Sequence, residues 1–128
     1  MKAKHIALAA IAALIVSVFS ANAGNAIKQT EAEIRSTYLQ RHSSVSAHDS
    51  DSWTITLVKD EYTLITVIGD GDTDLDIYLY DENGNLIDKD IDDSDNCVVE
   101  VTPKWSGKFT LKVKNLGNVY NNYTLIVF

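Results

Sequence analysis

The chain has 128 residues, 11 Lys+Arg against 18 Asp+Glu, a net charge of −7, one Cys and one Pro. That length fits one domain, and 45% apolar with 23% charged residues is a globular rather than a disordered mixture. The acidic balance argues against nucleic acid and anionic lipid, which are bound through clustered Lys and Arg, and a single Cys excludes an internal disulfide and any CxxC metal or redox site.

Lys2 and Lys4 precede an apolar run from Ile6 to Phe19, followed by Ala21-Asn22-Ala23. A basic start, a short apolar stretch and small residues at −3 and −1 predict a signal peptide over 1–23, cleaved after Ala23. The run is short for a membrane span, which needs roughly 20 residues, so no membrane attachment is expected after cleavage. Removing Lys2 and Lys4 leaves 9 bases against 18 acids, a charge of −9 on an exported chain, periplasmic or secreted.

Residues 24–48 read as an N-terminal helical and linker segment. Ile27, Ile34 and Tyr38 are spaced at 7 and 4, and Thr30 with Glu33 has the form of a capping box, which predicts a short helix over 28–40. Residues 42–51 are Ser-rich and loop-like, and His42 and His48 have no third partner at a ligating spacing.

From Trp53 the periodicity becomes two. Trp53–Leu57, Tyr62–Ile68 and Leu75–Tyr80 read as strands, and Asp81-Glu82-Asn83-Gly84 as a turn. Asn85–Asp88, Cys97–Thr102, Lys108–Lys114 and Tyr123–Val127 follow, with a turn at Ser106-Gly107. Short strands separated by turn signals predict an antiparallel sandwich or barrel, with residues 49–128 as the β domain. Alternation places Cys97 with Val99 and Val101, as a small buried hydrophobe. Lys108, Lys112 and Lys114 form a ladder on one strand, read as the charged guard of a sheet edge.

The charge is concentrated. Residues 70–100 hold twelve acids and one base, a charge of −11, while the rest of the exported chain carries +2. Asp70, Asp72 and Asp74 lie in one loop, and Asp90, Asp92, Asp93 and Asp95 in a second. Carboxylates at alternate positions of such loops can converge on a hard cation, and Ca²⁺ accepts six to eight oxygens with loose geometry. An EF-hand is excluded, because Leu75 stands where its loop requires Gly. The other reading is solvated turns that keep the protein soluble. On the next strand Asp76, Tyr78 and Tyr80 share the face opposite Leu75, Ile77 and Leu79, either as an exposed recognition surface or as cover for a second layer.

The run Gly69-Asp70-Gly71-Asp72-Thr73-Asp74-Leu75-Asp76-Ile77-Tyr78-Leu79-Tyr80-Asp81-Glu82-Asn83-Gly84-Asn85-Leu86 resembles the bacterial pre-peptidase C-terminal domain. Asp95-Asn96, Ser106–Val113 and Asn122–Leu125 fit the same pattern, so the resemblance covers about 49–128. It implies a jelly-roll-like β-sandwich of about seven to eight strands, of the kind attached to secreted peptidases and similar to collagen-binding modules, some members binding Ca²⁺. Two features depart from the family. No peptidase domain precedes the module, and Cys97 stands where an acid is frequent.

No nucleophile elbow, Cys/His pair or phosphate loop is present, and paired Asp residues on so small a sandwich have little room for a catalytic cleft. The expected protein is a non-catalytic, Ca²⁺-stabilised binding or accessory module for an extracellular protein or polysaccharide. The alternative is a stand-alone secretion or folding partner, or inhibitor, of a separately encoded exported peptidase.

Overall fold

Alternating side chains along eight short segments bury one apolar face each, and two such faces closed on each other make the core. The computed structural model describes residues 38–128, and these contain eight antiparallel strands. They are β1 (Leu39–Val45), β2 (Ser50–Leu57), β3 (Thr63–Ile68), β4 (Leu75–Tyr80), β5 (Leu86–Asp90), β6 (Asn96–Val101), β7 (Gly107–Asn115) and β8 (Asn121–Val127).

The strands form two four-stranded sheets, ordered β1-β8-β3-β6 and β2-β7-β4-β5. Pairing of the first strand with the last, and alternation of the chain between sheets, is the winding of a jelly-roll sandwich. Between the sheets lie Ile65, Val67, Cys97, Val99 and Leu125 from one side and Ile77, Leu79, Phe109, Leu111 and Val113 from the other, all at most 1% exposed. Burying each such side chain contributes about 1.5–3 kcal/mol. Cys97 is part of this core, and its thiol donates to Leu75 O at 2.9 Å.

Several expectations change. The signal peptide at 1–23 and residues 28–37 of the helix expected over 28–40 lie outside the described residues, but the last residues of that expected helix, Leu39 and Gln40, begin strand β1. Residues 42–51, read as a loop, hold the rest of β1, a turn and the start of β2, so the sandwich takes in strand ahead of residue 49. The reason is that β1 is an edge strand, where one partner suffices and polar side chains are tolerated: its inward Ser43 bonds Asp51 at 3.0 Å instead of packing. His42 and His48 are held by Thr124 at 3.0 Å and Asn118 at 2.8 Å. The Lys108–Lys114 ladder is not an edge, because β7 lies between β2 and β4. The acid-rich stretch from Asp88 to Asn96 is strand as far as Asp90.

The β4–β5 turn follows the sequence. Asp81 Oδ1 accepts the amides of Asn83 and Asn85 at 2.9 and 2.8 Å, and Gly84 takes φ +80°, a left-handed conformation that favours glycine.

Candidate functional site

β4 carries the site. Its inward residues Leu75, Ile77 and Leu79 are fully buried, which turns Asp76, Tyr78 and Tyr80 onto the outer face of β2-β7-β4-β5. Register sets their neighbours: Asp76 lies beside Lys114, Tyr78 between Lys112 and Lys89, and Tyr80 between Thr110 and Leu86. Tyr78 and Tyr80 are half-buried and stacked, with ring centroids 6.4 Å apart and planes 18° from parallel. Among the described residues no strand or helix lies over them. Asp76 is 6% exposed and accepts the Tyr78 hydroxyl at 3.1 Å. Burial raises its pKa, against the Tyr78 hydrogen bond and the Lys114 charge, while Asp90 and Asp92 add to the rise.

Asp76 also belongs to an acidic end. Asp74, just before β4, has a raised pKa, first from partial burial and then from Asp76, Asp93, Asp92 and Asp95. Asp74 Oδ1 is buried with no hydrogen-bond partner. Asp90, opposite Ile77 on β5, turns inward and accepts the Val98 amide at 2.9 Å. Burial pushes the Cys97 thiol up, and the charges of Asp90, Asp92, Asp76 and Asp74 add to the rise. An all-oxygen set with an orphaned buried oxygen suits a hard cation such as Ca²⁺. As placed, no three His, Cys, Asp or Glu side chains among the described residues stand together closely enough to hold one ion.

The seven sequence-proposed metal residues therefore divide. Asp74, Asp90 and Asp92 share the field of Asp76, with Asp93 and Asp95 close enough to act on Asp74. Asp70 turns to β8: its Oδ2 accepts the amide and side chain of Asn122 at 2.8 and 3.1 Å, which holds its pKa low. Asp72 is exposed, its amide 3.3 Å from Asp70 Oδ1. Asp95 is 6% exposed and pins the loop after β3, with Oδ2 accepting from Gly71 N at 2.5 Å and Asn121 Nδ2 at 3.1 Å. It lies so close to Gly69 that a Cβ there would stand 2.2 Å from the carboxylate, which leaves room for glycine alone.

Two polar clusters had no sequence signal. The Tyr123 hydroxyl donates to Asp51 and accepts from Trp53 Nε1 at 2.7 Å, joining the sheets across 70 residues of sequence. Asn115, fully buried, donates to Val45 O and Val119 O at 3.2 and 2.8 Å and accepts from Gly117 N at 2.8 Å, closing the β7–β8 loop.

No family model matches the chain, and no curated protein matches it. Solved structures do. The pre-peptidase C-terminal domain of a Bacillus anthracis collagenase aligns over 70% of this chain and 88% of its own, at 19% identity and a TM-score of 0.56. PliG of Aeromonas hydrophila, a periplasmic inhibitor of g-type lysozyme, aligns over 70% and 83% at 15% identity and a TM-score of 0.54. The Yersinia pseudotuberculosis-derived mitogen aligns over the same shares at 13% identity and a TM-score of 0.52. At these identities the likeness is one of fold. The motif from Gly69 to Leu86 is thus matched by the architecture around it: the chain has the fold of the pre-peptidase C-terminal domain.

Proposed function

We propose that this protein is an exported, non-catalytic accessory module that binds an extracellular protein or polysaccharide through the outer face of β4 and is stabilised by Ca²⁺. The observation that carries the reading is the stacked Tyr78–Tyr80 pair, flanked by Lys112 and Lys89 on a sheet face that no described strand covers. Two near-parallel, half-buried rings would offer aromatic contact area for a sugar ring or an extended peptide, at low entropic cost. The flanking ammonium groups supply hydrogen bonds and charge at its rim. A flat platform also suits an elongated polymer better than a small substrate, which needs a concave site.

Retention on immobilised collagen, chitin and cell-wall polymer tests this. Retention on one matrix, weakened about tenfold or more by Tyr78→Ala with Tyr80→Ala, is the expected result. Binding unchanged by the double substitution would remove the platform from the reading.

The cation would be held by the loop carboxylates Asp74, Asp92 and Asp93, which would draw together on binding from their present separation, an ion there offsetting their mutual repulsion and satisfying Asp74 Oδ1. It would supply stability and loop order rather than chemistry. At a hundredfold excess over Kd, Ca²⁺ stabilises by about 2.7 kcal/mol, which raises Tm by roughly 10 °C in a domain of this size. An equal Tm in Ca²⁺ and in chelator, with no calorimetric binding, overturns the cation reading and leaves the platform untouched.

The second reading, a partner or inhibitor of a separately encoded exported enzyme, is favoured by the fold likeness to a periplasmic lysozyme inhibitor. Absence of retention on every polymer, together with nanomolar inhibition of an exported peptidase or lysozyme, would replace the first reading with this one.

A further inference from the structure

The outer face of β1-β8-β3-β6 is unlike that of a two-layer sandwich. Ile65, Val67, Cys97 and Val99 point into the core, so their neighbours Leu64, Thr66, Ile68 and Val98 point away from it. Register aligns Gln40, Ile126, Thr66 and Val98 in one row across all four strands, with His42, Thr124, Ile68 and Asn96 in the next. This outward face is apolar at its centre, and it is buried. Val98 and Thr66 are 0% exposed, Ile126 3% and Leu64 9%, although none of the four belongs to the core cluster. The Thr66 hydroxyl is buried without a hydrogen-bond partner. Strands that are apolar on both faces are strands covered on both faces. Among the described residues every strand belongs to one of the two sheets, and no third layer lies on this one.

The place where the described chain begins identifies the cover. The Tyr38 ring packs on Phe128, with centroids 5.4 Å apart. Phe128 exchanges backbone hydrogen bonds with Leu64, N to O at 3.2 and 2.9 Å. The described chain therefore begins at the corner of the apolar face, next to Leu64. Crossing the four strands takes about 14 Å at roughly 4.8 Å per spacing. Residues 24–37, as a helix of about 1.5 Å per residue, reach roughly 21 Å. The apolar residues of that segment, Ile27 and Ile34, are two helical turns apart, a spacing that presents both to one surface.

We propose that residues 24–37 form a third layer, with Ile27 and Ile34 seated on Ile126, Thr66 and Val98. The sandwich is then closed on one face by its own N-terminal segment and open on the other, whatever the Tyr78–Tyr80 face binds.

Thiol labelling of protein purified after export, its N-terminus verified by mass, tests this. Thr66→Cys, a near-isosteric change, places a probe under the proposed layer, and Thr110→Cys places a reference on the open sheet. Cys97 is buried and serves as the background. The Thr66→Cys thiol is expected to react at least tenfold more slowly than the Thr110→Cys thiol. Adding Ile27→Ser and Ile34→Ser should speed labelling of the Thr66→Cys thiol and remove most of that difference. In the unsubstituted chain, Lys28 and Arg35 should outlast by at least tenfold the same residues in a synthetic peptide of 24–38 under trypsin. Fast labelling of Thr66→Cys, or slow labelling indifferent to the two serines, overturns the proposal. So does a dimer whose dilution accelerates labelling, since a second copy would then be the cover. Peptide-like cleavage at Arg35 in the intact chain overturns it without any substitution.

Discussion

The two outer faces of the sandwich are built from the same strand geometry and opposite chemistry. On β2-β7-β4-β5 the outward positions are Ser52, Thr54, Lys108, Thr110, Lys112 and Lys114, with the tyrosine pair at the centre. On β1-β8-β3-β6 the central outward positions are Ile126, Thr66 and Val98. Both faces sit on one shared core, so the difference does not arise from the fold. It arises from the side chains each sheet turns outward: hydroxyl and ammonium groups around the tyrosines on one side, branched apolar groups on the other. Alternation in a strand therefore reports how many faces are covered rather than which strand is central.

The largest effect should be indifferent to face. Leu111 lies beneath the lysine face and Leu125 beneath the apolar one, both fully buried. Either Leu→Ala substitution should cost about 2–5 kcal/mol in a denaturant titration. Costs that differ by more than that range would break the picture of one shared core.

The next separates the faces. Val98→Ala removes packing from a covered surface and should cost roughly 1–3 kcal/mol, whereas Thr110→Ala on the open sheet should stay within about 0.5 kcal/mol. Equal small costs by the same titration would make the apolar face an ordinary exposed one.

The smallest effect concerns the acidic end. Burial, then neighbouring carboxylates, raises Asp74, and burial raises Asp76. A carboxyl with a raised native pKa holds its proton more tightly when folded. Stability is then lost as pH rises from about 4 through the raised native value. Asp70 and Asp81, held low by hydrogen bonds from Asn122 and Asn85, oppose this only below about pH 4, where their contribution is lost. Cation-free protein should therefore melt a few degrees higher near pH 5 than near pH 7.5, and Asp74→Asn should flatten the dependence. A Tm that climbs across that interval in chelator would contradict the raised carboxyls.

Where alternation was strong, the fold was legible. Phe109, Leu111 and Val113 against Lys108, Thr110 and Lys112 announced β7, and the Asp81–Gly84 turn announced the β4–β5 hairpin. β1 was not legible, because an edge strand with Ser43 and Arg41 among its inward positions carries no apolar rhythm. The acids were visible as a composition, but their division was not. Asp70 and Asp95 differ from Asp74 through Asn122, Gly71 and Asn121, and β8 meets that loop only in three dimensions. The Tyr123–Asp51–Trp53 cluster was invisible for the same reason.

Strand order also sets a timetable. β8, the last of the eight described strands in chain order, lies between β1 and β3, so β1 has no partner in its sheet until β8 is available. Neither β1 nor the β3–β6 pair can join a complete sheet before then, and assembly of that sheet waits for residues 121–127. The sheet stays in two halves until this strand is inserted between them.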